Sequence, residues 1–333
     1  MKYQPVFSIT PRLAGQLEAI AALRERIAAA TVQVPWIPAL QKDARTRNAH
    51  GSTAIEGNPL TLEQVRAIEE GRPLHVAERS KREILNYFAA LRFIERQQRM
   101  RTITHDEVLA LHKLIATGVM DQGVAGRYRN MAVRVGRYLP PPPHEVSGLM
   151  RELRDWWNRD ASEWPPVISS AVVHYRFEEI HPFADGNGRT GRLLALWEMY
   201  RRGFDTHHVF SVDEYYWEDR PRYYEALEDV RRNDGDLSRW LEYVADGVSV
   251  TLERVWVRIQ RLKSEQRGKK IILRPRQEQL LNLLRDHDGL APREIWQALE
   301  VSKQGAIDLL RPLVQAGLVK RGGTRKTGRY ILA

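Results

Sequence analysis

The chain has 333 residues, a net charge of +10 and no cysteine, so it is long enough for two or three domains. The missing thiols exclude disulfide frameworks, thiolate metal sites and cysteine nucleophiles. Hydrophobic residues make up 43%, yet no apolar run approaches the roughly 18 residues a spanning helix needs, so no membrane partner is expected.

The start, MKYQPVFSITPRL, has no apolar run of signal-peptide length and points to the cytoplasm. Apolar residues then recur with helical spacing in LAGQLEAIAALRERI, in REILNYFAALRFI at 82–94 and in VLALHKLI at 108–115, which predicts a mainly helical, all-α protein. Thr104 with Glu107, and Ser211 with Glu214, read as capping boxes at helix starts. RYRNMAVRVGRYLPPPP, at 127–143, reads as a short β-hairpin around Val133, Val135 and Gly136 that runs into a proline-rich exit. AVVHYRFEEIHPF is spaced like a helix that stops at Pro182.

A long helical segment, LSRWLEYVADGVSVTLERVWVRIQRLKSEQ, leads to the charged boundary SEQRGKK. Three short helical patterns follow, RQEQLLNLLRDH, PREIWQALE and SKQGAIDLLRPLVQAG, and then LVKRGGTRKTGRYIL, two strand-like pieces around a basic glycine turn. Three helices and a hairpin resemble a winged helix-turn-helix. Residues 269–333 hold 13 Lys and Arg against six Asp and Glu, a surplus of +7, which suits a polyanion such as DNA. Lys303 and Gln304, at the start of the third helix, would enter a groove first. That helix is nevertheless poor in base-reading side chains, and Pro312 is expected to interrupt it. Such modules also mediate protein contacts and dimerisation, so DNA, a protein partner and a homodimer all stay open.

The densest chemistry lies in HPFADGNGRTGR, residues 181–192. GNGRTG offers successive backbone amides at permissive positions, which form a concave anion nest leading into a helix. Arg189 and Arg192 fall three apart on that helix, beside the nest, and phosphate is the expected guest. GNGRTG also matches the G-x-G-x-x-G dinucleotide fingerprint, with Asp213 some twenty residues on, but a helix rather than a buried strand precedes it. A P-loop would need a lysine and a hydroxyl where Arg192 stands. His174, Glu178 and His181 repeat at helical spacing and could face a metal, although Pro182 ends the helix and His174 reads as a packed histidine.

The whole run matches H-x-F-x-[DE]-G-N-G-R-x-x-R, and the chain therefore resembles the Fic family. The resemblance covers about 250 residues and implies a Fic-type helical core at 101–245 with a hairpin flap. Around it would stand an N-terminal helical segment at 1–100, a linking helix at 246–268 and the winged helix-turn-helix at 269–333. It also implies an enzyme that transfers AMP from ATP to a Ser, Thr or Tyr hydroxyl of a protein, with the chain itself as one target, and with Mg²⁺ as cofactor. His181 would be the general base, Phe183 the loop's anchor and Asp185 the Mg²⁺ ligand. Gly186, Asn187 and Gly188 would form the anion hole, and Arg189, Thr190, Gly191 and Arg192 would complete the ATP site. Tyr223 and Tyr224 are candidates for the nucleoside wall. The hairpin would align the target by strand addition.

STAIEGNPL, at 52–60, reads by itself as a helix terminus, with Gly57 where the helix ends. Beside a Fic-like core it is similar to the family's inhibitory motif, [ST]-x-x-x-E-[GN]. That resemblance implies that Ser52, Glu56 and Gly57 set an inhibitory pairing of Glu56 with Arg192. In some relatives the same carboxylate positions water to remove AMP. Two other readings stay open: a DNA-binding regulator whose core only senses nucleotide, and transfer of a different nucleotide or phosphodiester group.

Overall fold

The computed structural model describes residues 2–31, 37–98, 100, 102–205, 207–265, 273–287, 289–322 and 328–332. The chain divides into two compact units, one of Met1–Arg24 and Asp43–Val255, the other of Glu25–Lys42 and Trp256–Ala333. In chain order the helices are α1 (Pro11–Thr31), α2 (Ile37–Ile55), α3 (Leu62–Glu69), α4 (Glu78–Arg96), α5 (His105–Ala116), α6 (Pro143–Arg159), α7 (Pro166–Ile180) and α8 (Asn187–Arg201). They continue with α9 (Val212–Glu218), α10 (Arg220–Arg232) and α11 (Ser238–Glu265).

The first unit is organised around α7 and α8, which pack on each other, with α4 and α5 against α8 and α6 against α7. Almost every residue of both central helices is buried. They therefore lack the one-sided apolar stripe of a surface helix, as expected of elements enclosed on all sides. Trp157, Trp197 and Trp240 are among the largest fully buried side chains, and each such burial contributes about 1.5–3 kcal/mol. Two of the three satisfy their polar ends: Trp240 donates to the Ala171 carbonyl at 2.9 Å and Trp157 to Glu198 at 2.6 Å, whereas the buried Trp197 Nε1 has no hydrogen-bond partner among the described residues.

The capping box at Thr104 forms, with Glu107 donating its amide to the threonine hydroxyl and returning its carboxylate to the Thr104 amide. A further box closes at Thr61 and Gln64. The box expected at Ser211 does not form: α9 starts after Ser211 without a side-chain cap. Glu214 instead pairs with Arg47, since a charge-assisted bond outcompetes one to a neutral amide.

The hairpin expected over 127–143 is also corrected. Only Val135 and Tyr138 pair, through two main-chain bonds of 3.0 and 2.9 Å. The turn between them uses Gly136 at φ 57°, and Pro140–Pro143 have no amide to extend a ladder. The Arg129 amide goes to the Pro182 carbonyl rather than to a partner strand.

In the second unit, α12 (Pro275–Arg285), α13 (Pro292–Ala298) and α14 (Lys303–Gln315) precede an antiparallel pair, β1 (Val319–Gly322) with β2 (Arg329–Leu332). The register runs from Val319 opposite Leu332 to Gly322 opposite Arg329. Leu280, Leu284, Ile295, Leu310 and Leu313 form its core. Pro312 does not interrupt α14. It lies in the last turn, where its missing amide costs one bond and the ring demands no further helix. Most of the expected SEQRGKK boundary, from residue 266, and the basic turn at 323–327 lie outside the described residues.

Candidate active site

The helix α7 ends at His181, whose backbone is left-handed (φ 50°, ψ 60°), and Gly186 (φ 79°) precedes α8. Asn187 ties the loop across itself: its side chain accepts from the Phe183 amide and donates to the Phe183 carbonyl, each at 2.9 Å. Thr190 donates its hydroxyl to the Gly186 carbonyl at 2.8 Å. Phe183 is fully buried and stacks on His112 with ring centroids 3.5 Å apart.

His112 is a functional support that the sequence reading missed. Its Nδ1 accepts from the Gly126 amide at 2.9 Å, which leaves Nε2 as the donor to the Asp185 carbonyl, also at 2.9 Å. Burial lowers its pKa to about 4, so the ring stays neutral and keeps this one tautomer. The strut thus fixes the carbonyl that immediately precedes the nest.

The sequence-predicted residues come together at the N-terminus of α8. Arg192 is buried, donating from Nε to the Ser52 hydroxyl at 2.8 Å and from Nη2 to the Ser52 carbonyl at 2.9 Å. Its Nη2 also donates to Glu56 Oε1 at 2.7 Å. The same carboxylate oxygen would collide with a Cβ built on Gly188, so only glycine admits an anion this close to the helix start. Gly57, just beyond α2, has φ 96°, a conformation that L side chains adopt only with strain.

Electrostatics agree with this geometry. Burial raises the Glu56 pKa, but the charge and hydrogen bond of Arg192, with Arg189 and His181, overcome it and hold the carboxyl below its ordinary value. Burial alone would lower the Arg192 pKa, and Glu56 reverses that. Arg189 reaches Asp185 at 3.5 Å and Glu83 at 3.9 Å. Asp185 accepts from the Gly186 amide at 2.5 Å.

His181 has an intermediate environment, its Nδ1 3.7 Å from Glu178 Oε2. Burial pulls its pKa down to about 4, with the Glu178 main chain and the Glu56 charge opposing. It is therefore neutral near pH 7, as a proton acceptor must be. Glu178 is buried and its carboxyl is pushed up to about 7, chiefly by burial. His174 is buried against Tyr223, its Nε2 3.1 Å from the tyrosine hydroxyl. Among the described residues no group of three His, Asp or Glu is arranged to hold a metal. Asp213 accepts from Tyr87 at 2.7 Å in the interior.

The two tyrosines separate. Tyr223 is buried, with its hydroxyl 3.5 Å from Arg192. Tyr224 is 39% exposed and donates at 3.5 Å to the carbonyl of Ile55, the last residue of α2.

Residues 102–199 match the model of the Fic/DOC family. The chain is 34% identical over 219 residues to the Protein adenylyltransferase Fic of Drosophila willistoni, covering 64% of this chain and 42% of that one. It is 32% identical over 244 residues to that of Drosophila ananassae, covering 72% and 47%. The chain thus spans about half the length of the curated relatives it matches. A solved Fic family protein from Desulfovibrio desulfuricans superposes with a TM-score of 0.68 at 26% identity, over 99% of this chain and 98% of that one. Fic-1 of C. elegans, residues 134–508, gives 0.60 at 26% identity over 74% and 73%. The matching family model, the named relatives above 30% identity and the shared fold together place a Fic/DOC domain at residues 102–199 of the chain.

Proposed function

We propose that the chain is a protein adenylyltransferase that moves AMP from ATP to a Ser, Thr or Tyr hydroxyl, and that Glu56 holds it inactive. The observation that carries this reading is the Glu56 carboxylate itself, seated over Gly188 at the start of α8 and bonded to Arg192. A carboxylate there is a stand-in for phosphate, since helix amides and a buried guanidinium recognise either anion. Relatives named adenylyltransferases supply the chemical class.

In the reaction His181 accepts the proton of the target hydroxyl while its oxygen bonds to the α-phosphorus. The bond to the β-phosphate oxygen breaks, and pyrophosphate leaves. The first amides of α8 receive the charge that develops on the transferring group. Arg189 and Arg192 hold the leaving phosphates in line. The Asp185 side chain is about one-third exposed and fits a cation that takes one carboxylate and keeps several waters, as Mg²⁺ does. When bound, Mg²⁺ would neutralise phosphate charge. Tyr224 offers an exposed ring to the nucleoside, and Tyr223 braces Arg192 from behind. The same Glu56 carboxylate would position water for AMP removal.

The C-terminal helices and hairpin are proposed as a winged helix-turn-helix that contacts duplex DNA, with dimerisation as its other use. A chain without cysteine suits the cytoplasm. Incubation with ATP labelled at the α-phosphate, and separately at the γ-phosphate, tests the transfer. Label in protein from the α position only is the expected result. Incorporation from the γ position would make the chain a kinase and overturn the reading.

A further inference from the structure

Arg129 follows α5 and is buried. Its guanidinium has no carboxylate within salt-bridge distance among the described residues, and main-chain carbonyls take its donors instead. Nε donates to the His181 carbonyl at 2.8 Å, and Nη2 reaches the Ile180 carbonyl at 3.4 Å. The same fork also serves a different stretch of chain: Nη2, shared with Ile180, donates to Pro141 O at 2.5 Å, and Nη1 donates to Met131 O at 3.1 Å. The Arg129 amide completes the set with the Pro182 carbonyl at 2.9 Å.

Two of these acceptors are carbonyls at the C-terminal end of α7, where a cation is favoured by the helix dipole and by the unpaired oxygens themselves. The other two mark the ends of the 131–141 segment, which exposes Met131 and Leu139 beside the active site. Tyr138, inside that segment, is a second tether, donating to the Glu179 carbonyl at 2.8 Å. An apolar side chain at 129 would strand several buried carbonyls. A lysine could neutralise charge but not reproduce the planar fork.

We propose that Arg129 is a positioning residue that fastens both ends of the 131–141 segment to the carbonyl of the proposed general base, so that the target-facing surface and the imidazole of His181 move as one body. This rests on the transfer reading above for its purpose but not for its physical content. Strand-like pairing cannot hold the segment, because only Val135 and Tyr138 pair within it. The arginine fork takes the place of a ladder.

The test uses the full chain, without nucleotide, as wild type, Arg129→Lys and Tyr138→Phe. Amide hydrogen exchange is followed in peptides covering 131–141 and 178–183. Arg129→Lys is expected to speed exchange in both stretches together, by roughly tenfold, because they share one fastening. Tyr138→Phe, a gentler change, should give a smaller rise in the same two. Faster exchange in 131–141 with 178–183 at the wild-type rate, or no change in either, would overturn the proposal.

A second readout separates charge from geometry. The Glu178 carboxylate lies 3.7 Å from the His181 ring, and the charges of Glu56, Arg129 and Arg231 act on it. Arg129→Gln should raise the pH at which the ring titrates by nuclear magnetic resonance, and Arg129→Lys should leave it nearly unmoved. Self-labelling from ATP in a Glu56→Gly background should fall between about 10- and 100-fold in Arg129→Lys, with ATP affinity retained. Wild-type labelling in that variant counts against the proposal. If no variant transfers label at all, the transfer reading fails while the exchange result still decides the fastening.

Discussion

His181 illustrates how much of a single residue's chemistry depends on its enclosure. Held neutral by burial, with a pKa of about 4, it is available as a base throughout the physiological range. Its ring resonances in the full chain should therefore titrate near pH 4, and a midpoint near the ordinary 6.5 would contradict the enclosure described here. Replacing His181 by Ala should cut AMP transfer by about 100-fold or more while ATP binding persists, because in the proposed mechanism the nest and arginines would contact phosphate and the imidazole would not. Equilibrium binding of ATP beside the rate of label incorporation makes the comparison.

Glu178 carries a linked prediction. Its carboxyl titrates at about 7 in the fold against 4.5 when exposed, so between those values the native chain holds a proton that the unfolded chain has lost. Stability must then decline as pH rises across that window, by up to about 3 kcal/mol at about 1.4 kcal/mol per pKa unit. Glu178→Gln should remove most of the decline, seen as urea midpoints that differ less between pH 5 and 7.5 than those of the wild type. The loop residues were legible in the sequence because they are contiguous. The His112 strut and the Arg129 fastening were not, since 73 and 52 residues separate them from the carbonyls they hold, and no local pattern announces such a contact.

Among elements, the end of α2 reaches Arg192 from outside the loop and α8. The Glu56 carboxylate bonds Arg192 and crowds Gly188, and on the proposed function it would deny the γ-phosphate of ATP its in-line pose. Each tenfold of rate needs only about 1.4 kcal/mol of lost alignment, so one misplaced carboxylate would suffice for strong inhibition. Glu56→Gly should raise labelling of proteins, the chain itself included, by at least tenfold. Adding Arg192→Ala should erase that gain, since the freed guanidinium is what the first substitution makes available. A single mutant no faster than wild type would remove Glu56 from the inhibitory role and leave the loop assignment standing. The spacing of Ser52, Glu56 and Gly57 was readable because a helix terminus is a local event. The hairpin was misread because valines and a glycine gave a strand pattern, whereas the prolines and the pull of Arg129 toward α7 left one residue pair to form.

Over the whole molecule, two features of the second unit point in different directions. Lys303 at the start of α14, with Lys320 and Arg321 on β1, are exposed cations on a segment with a surplus of +7. Yet α14 also exposes Ile307 and Val314, seven residues apart and so on one face, which suits a protein contact better than a groove floor. Charge wins in dilute salt, because phosphate contacts release condensed counterions whatever the base sequence. If three cations contact phosphates, affinity of the full chain for duplex DNA should fall about 40-fold between 50 and 200 mM salt, following a slope of about −0.9 per contact. Lys320→Ala with Arg321→Ala should flatten that slope by nearly two contacts and leave adenylylation by the Glu56→Gly chain untouched. Gel shifts across the salt series read both effects. Absence of any complex at low salt would assign the unit to protein contacts through Ile307 and Val314, because a surface that fails to bind a polyanion when screening is weakest has no electrostatic reason to be basic on DNA's account.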